Sequence, residues 1–228
     1  MRMRLGLAVC LDGPDPHGYH RLADNLGGRT NARHKVVVAS WRQVFVEAGG
    51  EVPDRNVERL LRNTWIPVAD HNQQRMDLVV NGLNVQRGLP LFCDVTVVSP
   101  LSHIGLPRPG TSNHGGSLLT QARRDNDATY TSVTNSGLGA LYCLGFEVFG
   151  RWGKQCIDLV PVLAREKSRG MHPRLRRGTA LAYQQRWTGV VAVGLMKAVA
   201  AAALHGEGAD LSTALLEPEP SAGDLPVM

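Results

Sequence analysis

At 228 residues, 43% of them hydrophobic, the chain can enclose one substantial core, and its longest apolar stretch, broken by Lys197, excludes a membrane span. A formal charge of +5 permits a polyanionic partner, and 21 of the 25 basic residues are arginines, the planar, bidentate phosphate binders. Cys10, Cys93, Cys143 and Cys156 form no CxxC pair, which argues against a disulfide scaffold; with an N-terminal apolar run too short for a signal peptide, a nuclear or cytoplasmic location is expected.

Residues 1–30 are rich in Gly, Pro, His and Asp and read as loops. From Ala32 to Ala48 the spacing of Val37, Trp41, Val44 and Phe45 predicts a helix with one apolar face, stopped by Gly49–Gly50. "EVPDRNV" is a weak strand that Pro53 confines to an edge or bulge. "MDLVV" and "LFCDVTVV" are short β-branched runs bounded by Gly and Pro, the pattern of buried strands. A Gly/Pro/Ser/His loop leads to a helix at "SLLTQARRDNDATYTSV", and "ALYCLGFEVFG" is a further strand. "KQCIDLVPVLAREKS" reads as a helix that Pro161 kinks or limits, followed by a basic loop, "RGMHPRLRRG". A long helix follows, with Tyr183, Trp187 and Val191 turned to the core, and a Pro/Ser/acid-rich tail expected to be disordered. The order of elements predicts an α/β fold, a small mixed sheet flanked by helices.

Asp77 and Asp94 each stand beside an apolar run that reads as a buried strand. A carboxylate there costs several kcal/mol, on the order of a buried charge, unless it is paired or bound to metal. If the strands are adjacent, the two acids could converge as a hard-oxygen site for Mg²⁺ or Mn²⁺, suited to phosphodiester cleavage. The alternative is that each caps a strand or pairs with Arg75 or Arg87.

Four stretches, in order, carry a resemblance. These are "ARHKVVV" with Arg33 and His34, "RMDLVV" with Met76 where a proline is usual, "FCDVTVVSP", and "ALYCLGFEVFGRWG" from Ala140 to Gly153. Together they resemble the C-terminal endonuclease region of site-specific non-LTR retrotransposon reverse transcriptases. That region has the restriction-endonuclease-like PD-(D/E)xK fold. The resemblance implies a three-layer core over residues 31–206, a metal held by Asp77 and Asp94, and DNA as partner, with the element's own RNA template as a second partner. It makes His34 and Glu147 candidate catalytic residues, and Arg33, Arg123, Arg124, Tyr130 and Arg151 candidate nucleic-acid contacts. For several of these a structural role competes: His34 as a helix-start residue, Glu147 paired with Arg151, Tyr130 at the core edge, and the basic loop as solvated charge.

Two departures from the family pattern matter. Residues 1–30 resemble its zinc knuckle only in part: Cys10, His17 and His20 remain, while Asn25 stands at the last ligand position, so zinc is not expected there. The family's catalytic lysine falls at Asn126, four residues before Tyr130, and no lysine occurs between Lys35 and Lys154. The chain therefore has two readings, a metal-dependent DNA endonuclease domain impaired by the missing lysine, or a catalytically inactive nuclease-fold remnant that binds nucleic acid. An unrelated α/β domain with structural aspartates is a third.

Overall fold

The computed structural model describes residues 23, 29–53, 59–102 and 104–204. The knuckle-like segment and the expected acidic tail lie outside the described residues.

The first helix, α1 (Arg29–Ala48), buries Val37, Trp41, Val44 and Phe45 completely. It ends where expected: Gly49 takes φ +101°, and the Gly49 and Gly50 amides donate to the carbonyls of Val46 and Phe45. Of the weak strand after it, the described residues Glu51–Pro53 contribute a bridge, Glu51 to Asn81. The run "RMDLVV" is not one strand. It bends at Asp77 into β2 (Arg75–Met76), which pairs with β1 (Arg59–Leu60), and β3 (Leu78–Val80), which pairs antiparallel with β4 (Leu91–Val98). Two helices follow, α2 (Ser117–Thr129) and α3 (Thr131–Ser136), and then β5 (Ala140–Glu147), parallel to β4 in the register Leu91↔Ala140 to Val98↔Glu147. The main sheet is therefore mixed, in the order β3–β4–β5. The chain closes with α4 (Lys154–Ser168) and α5 (Pro173–Leu204).

Strand alternation divides β4 between two cores. Leu91, Cys93 and Val95 join α1, α4 and α5 in a large cluster around Trp41, Phe45, Phe146 and Trp187. Phe92 turns the other way, into a smaller cluster with Leu61, Ile66, Met76, Val79, Tyr130, Val133 and Leu141. Asp94 and Thr96 share the face of Phe92 by the same alternation. The result is helices on both faces of a small mixed sheet.

Two expectations are corrected. Helix α4 continues through Pro161 to Ser168, so the proline does not limit it to its first half. Its face of Cys156, Leu159, Val160 and Leu163 is buried, and at roughly 1.5–3 kcal/mol per large apolar side chain that burial exceeds the cost of about 3 kcal/mol for an interior proline. The "basic loop" is mostly helix: α5 begins at Pro173, whose fixed φ suits a first turn, and the Leu175 amide donates to the His172 carbonyl.

Helices α1 and α5 meet closely. A side chain at Gly194 would run into Ser40, so only glycine permits this approach. In the last turn of α1, Glu47 accepts two hydrogen bonds from Arg186 (2.8 and 2.9 Å) and one from the indole N–H of the fully buried Trp187 (2.9 Å). The Arg186 bonds, opposed by partial desolvation and helped by Gln43 and Trp187, hold the Glu47 carboxyl down at about 2, against 4.5 ordinarily. Because the folded value is the lower one, this stabilisation is complete above pH 4.5 and lost as pH falls towards 2. Glu47→Ala is expected to cost about 2 kcal/mol at pH 7, chiefly by stranding the Trp187 N–H. Urea denaturation at pH 7 and pH 3 checks this: the gap between wild type and variant should narrow at pH 3.

Candidate functional site

The bend at Asp77 puts a carboxylate where the β3–β4 register, carried one residue back, sets it beside Asp94. Asp94 is not at a strand end, as the sequence pattern suggested, but in the middle of β4. The antiparallel pairing still makes the two acids neighbours. Asp77 Oδ2 accepts from the Val95 amide at 2.6 Å and lies 2.9 Å from His34 Nε2 on α1. Its side chain is only 8% exposed, and its ion-pair partner is a histidine rather than an arginine.

Asp94 has a different environment. Its Oδ2 accepts from the Thr96 hydroxyl (3.3 Å), and the Tyr130 hydroxyl stands 3.4 Å from Oδ1 while donating to the Arg75 carbonyl at 2.6 Å. Burial, then the neighbouring Asp77 charge, pushes its carboxyl up to about 6, against the opposing effects of Thr96, His34 and Tyr130. The Asp77 charge is thus near enough to disfavour ionisation of Asp94.

Asp94 forms part of the wall of an open cavity of about 530 Å³ between the second half of β4 and one face of α2. Asp77 is not on that wall. Arg33, Asn126 and Tyr130 are, and so is Asp125, which sequence reasoning did not single out as a site residue. The helical spacing Leu118, Ala122, Asp125, Asn126, Thr129 was its signal: it marks one face of α2, but nothing in the sequence says that this face borders a cavity. Asn126 is 5% exposed, and its Oδ1 has no hydrogen-bond partner. It thus occupies the cavity wall with Asp94 and Tyr130.

Other candidates stand apart. Glu147 lies at the far end of β5, level with Val98, whereas Asp94 is level with Cys143. Four residues of strand separate them, roughly 13 Å. Glu147 is 6% exposed and accepts from Arg151 Nε at 3.1 Å. It does not complete the acidic pair, because strand length carries it out of reach, and Arg151 is its partner, with a guanidinium lying over Gly115. Arg123 is held by Asp127, Gln155 and the Leu141 carbonyl, so its donors are engaged within the fold. Arg124 is exposed on α2, off the cavity-lining face. Lys154 is paired with Asp158 on the exposed surface of α4.

Among the described residues no three His, Cys, Asp or Glu side chains are gathered as a metal site. A two-carboxylate Mg²⁺ site does not need a third such side chain, since that ion keeps several waters. The donor set fits one: two hard-oxygen acids side by side, one of them held up at about 6 by the other and by burial. Cys93, Cys143 and Cys156 are buried, and burial raises all three thiols, which argues against nucleophilic or metal-ligating roles. Among the described residues no helix is long and apolar enough to cross a membrane. Comparison with family models, with curated proteins and with solved structures found no match.

Proposed function

We propose that the chain is a metal-dependent DNA endonuclease domain of restriction-endonuclease-like architecture, which nicks a target site slowly because it lacks a positioned lysine. The observation that carries this reading is the placement of Asp94 on an open cavity wall directly beside the Asp77 carboxylate. The mixed sheet with helices on both faces and the order of the four motif-like stretches along the chain support the same reading.

Asp77 and Asp94 would hold Mg²⁺ or Mn²⁺, which when bound supplies charge neutralisation and an acidified water. The chain's own groups do the rest. His34 and the Val95 amide fix the orientation of Asp77. Tyr130, anchored on the Arg75 carbonyl, fixes the Asp94 side of the cavity. Arg33 and Arg108 bring positive charge to the same wall, where a phosphodiester would lie. The reaction is displacement at phosphorus, with water adding and one P–O bond breaking. Asn126 can donate or accept a hydrogen bond there but cannot shuttle a proton as an amine does.

The second reading, a domain that binds nucleic acid without cutting it, is favoured by Asn126 at the lysine position and by the incomplete knuckle. A plasmid-nicking assay in Mg²⁺ or Mn²⁺ separates the two. Slow, metal-dependent conversion of supercoiled to open-circular DNA, lost in Asp94→Ala, is the expected result. Binding with no conversion in either ion overturns the endonuclease reading.

A further inference from the structure

The hairpin that joins α4 to α5 is the chain's densest run of positive charge. Between Arg165 and Arg177 stand Arg165, Lys167, Arg169, Arg174, Arg176 and Arg177 against a single acid, Glu166. Six cations less one anion give +5, the formal charge of the whole chain, so the remaining residues carry 19 basic and 19 acidic side chains. Residues 207–228 supply five of those acids and no base, so the rest of the chain outside the hairpin also sums to +5; what sets the hairpin apart is that its +5 falls within 13 consecutive residues.

The fold leaves this charge unspent. All six cations are exposed. Glu166 is engaged with Arg169 (3.2 Å) and with Asn84 (2.9 Å), and Arg176 donates to the Met171 carbonyl. Among the described residues, Arg165, Lys167, Arg174 and Arg177 make no ion pair and no side-chain hydrogen bond. Their placement does not serve folding either. Arg174, Arg176 and Arg177 crowd the start of a 32-residue helix, the positive end of its dipole, with no acid in the first turn.

The hairpin is also remote from the cavity. It meets the rest of the fold near Gly49 and Asn84, beyond the end of β3 that pairs with the start of β4. The cavity is lined by the second half of β4 and by α2, with no residue from α4 or α5.

We infer that the α4–α5 hairpin is a second, metal-independent docking surface for a nucleic-acid phosphate backbone, separate from the cavity. Five of its six cations are arginines, which grip phosphate oxygens in pairs. An anionic membrane is the poorer partner, because a helix lying in a bilayer surface needs a continuous apolar face, and here the exposed Met171, Leu175 and Leu181 are separated by Arg174, Arg176 and Arg177. The inference does not rest on the endonuclease reading: backbone binding here requires neither Asp77, nor Asp94, nor a metal.

The test uses the full chain and fluorescence anisotropy with a labelled 30-base-pair DNA duplex, in EDTA across a salt series. Arg165→Glu, Arg174→Glu and Arg177→Glu together change exposed side chains without internal partners, so circular dichroism should be unaltered. Affinity should fall at least tenfold, and the slope of log affinity against log salt should flatten by about 2–3 units for three lost phosphate contacts. A charge-matched control, Arg62→Glu, Arg87→Glu and Lys154→Glu, should change affinity less than threefold. Equal loss in the control, or an unchanged slope in the hairpin variant, overturns the inference. So does tighter binding of the wild type to vesicles containing 30% phosphatidylserine than to the duplex. Absence of nicking with the hairpin effect intact would sink the endonuclease reading and leave this one standing.

Discussion

Asp94→Asn should lower metal-dependent nicking at least 10²-fold and at the same time make the metal-free protein more stable. The two effects have one cause. In the fold, the Asp94 carboxyl titrates at about 6 rather than 3.8, because it is buried and then because Asp77 lies beside it. A raised folded value means the ionised acid opposes folding: the penalty is complete above pH 6, shrinks as pH falls from 6 to 3.8, and is gone below. At about 1.4 kcal/mol per pH unit the shift corresponds to roughly 3 kcal/mol, which partial solvent access reduces to about 1–2 kcal/mol. Asparagine keeps the shape and removes the charge, so in EDTA at pH 7.5 the variant should gain about that much in urea denaturation, and its advantage should vanish near pH 4. Millimolar Mg²⁺ should stabilise the wild type, since a ligand that binds only the folded state adds stability by mass action, and should do nothing for the variant. The nicking loss follows because several kcal/mol of charge stabilisation at the phosphate depend on the ion this carboxylate would hold, and each 1.36 kcal/mol is tenfold in rate. A variant that is less stable than wild type in EDTA, or a wild type indifferent to Mg²⁺, would show that Asp94 is a structural acid and that the pair does not take a cation.

The prominence of this pair in the sequence has a physical basis. Acidic residues beside β-branched runs stand out because burying a carboxylate is costly, so "RMDLVV" and "FCDVTVV" raised the question before any coordinates did. Most elements were legible from short-range pattern: the buried face of α1 repeats with helix period, and β4 is a short apolar, β-branched run bounded by Pro. What sequence could not show was geometry between elements. The bend that splits β2 from β3 at Asp77 leaves no trace in composition, yet it decides how the acid meets His34 and the Val95 amide. Glu147 looked like a third acid because it, too, lies in an apolar strand; only the parallel register shows that it is four residues too far along. Arg123 looked available until α2 set it against Asp127 and Gln155. Short-range pattern reveals which residues are unusual, whereas register and packing reveal which of them meet.

Asn126→Lys should raise the nicking rate by 10²–10⁴-fold, the usual contribution of one positioned acid/base group. On the family likeness this is where an amine belongs, and the fold puts Asn126 on the cavity wall with Asp94 and Tyr130, buried, with its Oδ1 unpartnered. Lysine reaches two chain atoms farther, but it would extend into an open space of about 530 Å³ rather than into the packed cluster around Phe92. The two nearby carboxylates would keep its charge favourable, so the variant should fold with undiminished stability. Asn126→Arg is the control that isolates proton transfer from charge. A guanidinium fills the same place and holds a phosphate equally well but does not give up its proton. It should tighten DNA binding in the single-turnover assay while leaving the chemical step near the wild-type rate. Adding Asp94→Asn to Asn126→Lys should return the rate to background, because an amine without the cation site has nothing to act on. If lysine and arginine accelerate nicking equally, Asn126 marks only a deficit of positive charge. If neither changes the rate and both proteins are folded, then the lysine-equivalent position is elsewhere, and the likeness that places it on α2 fails at that residue.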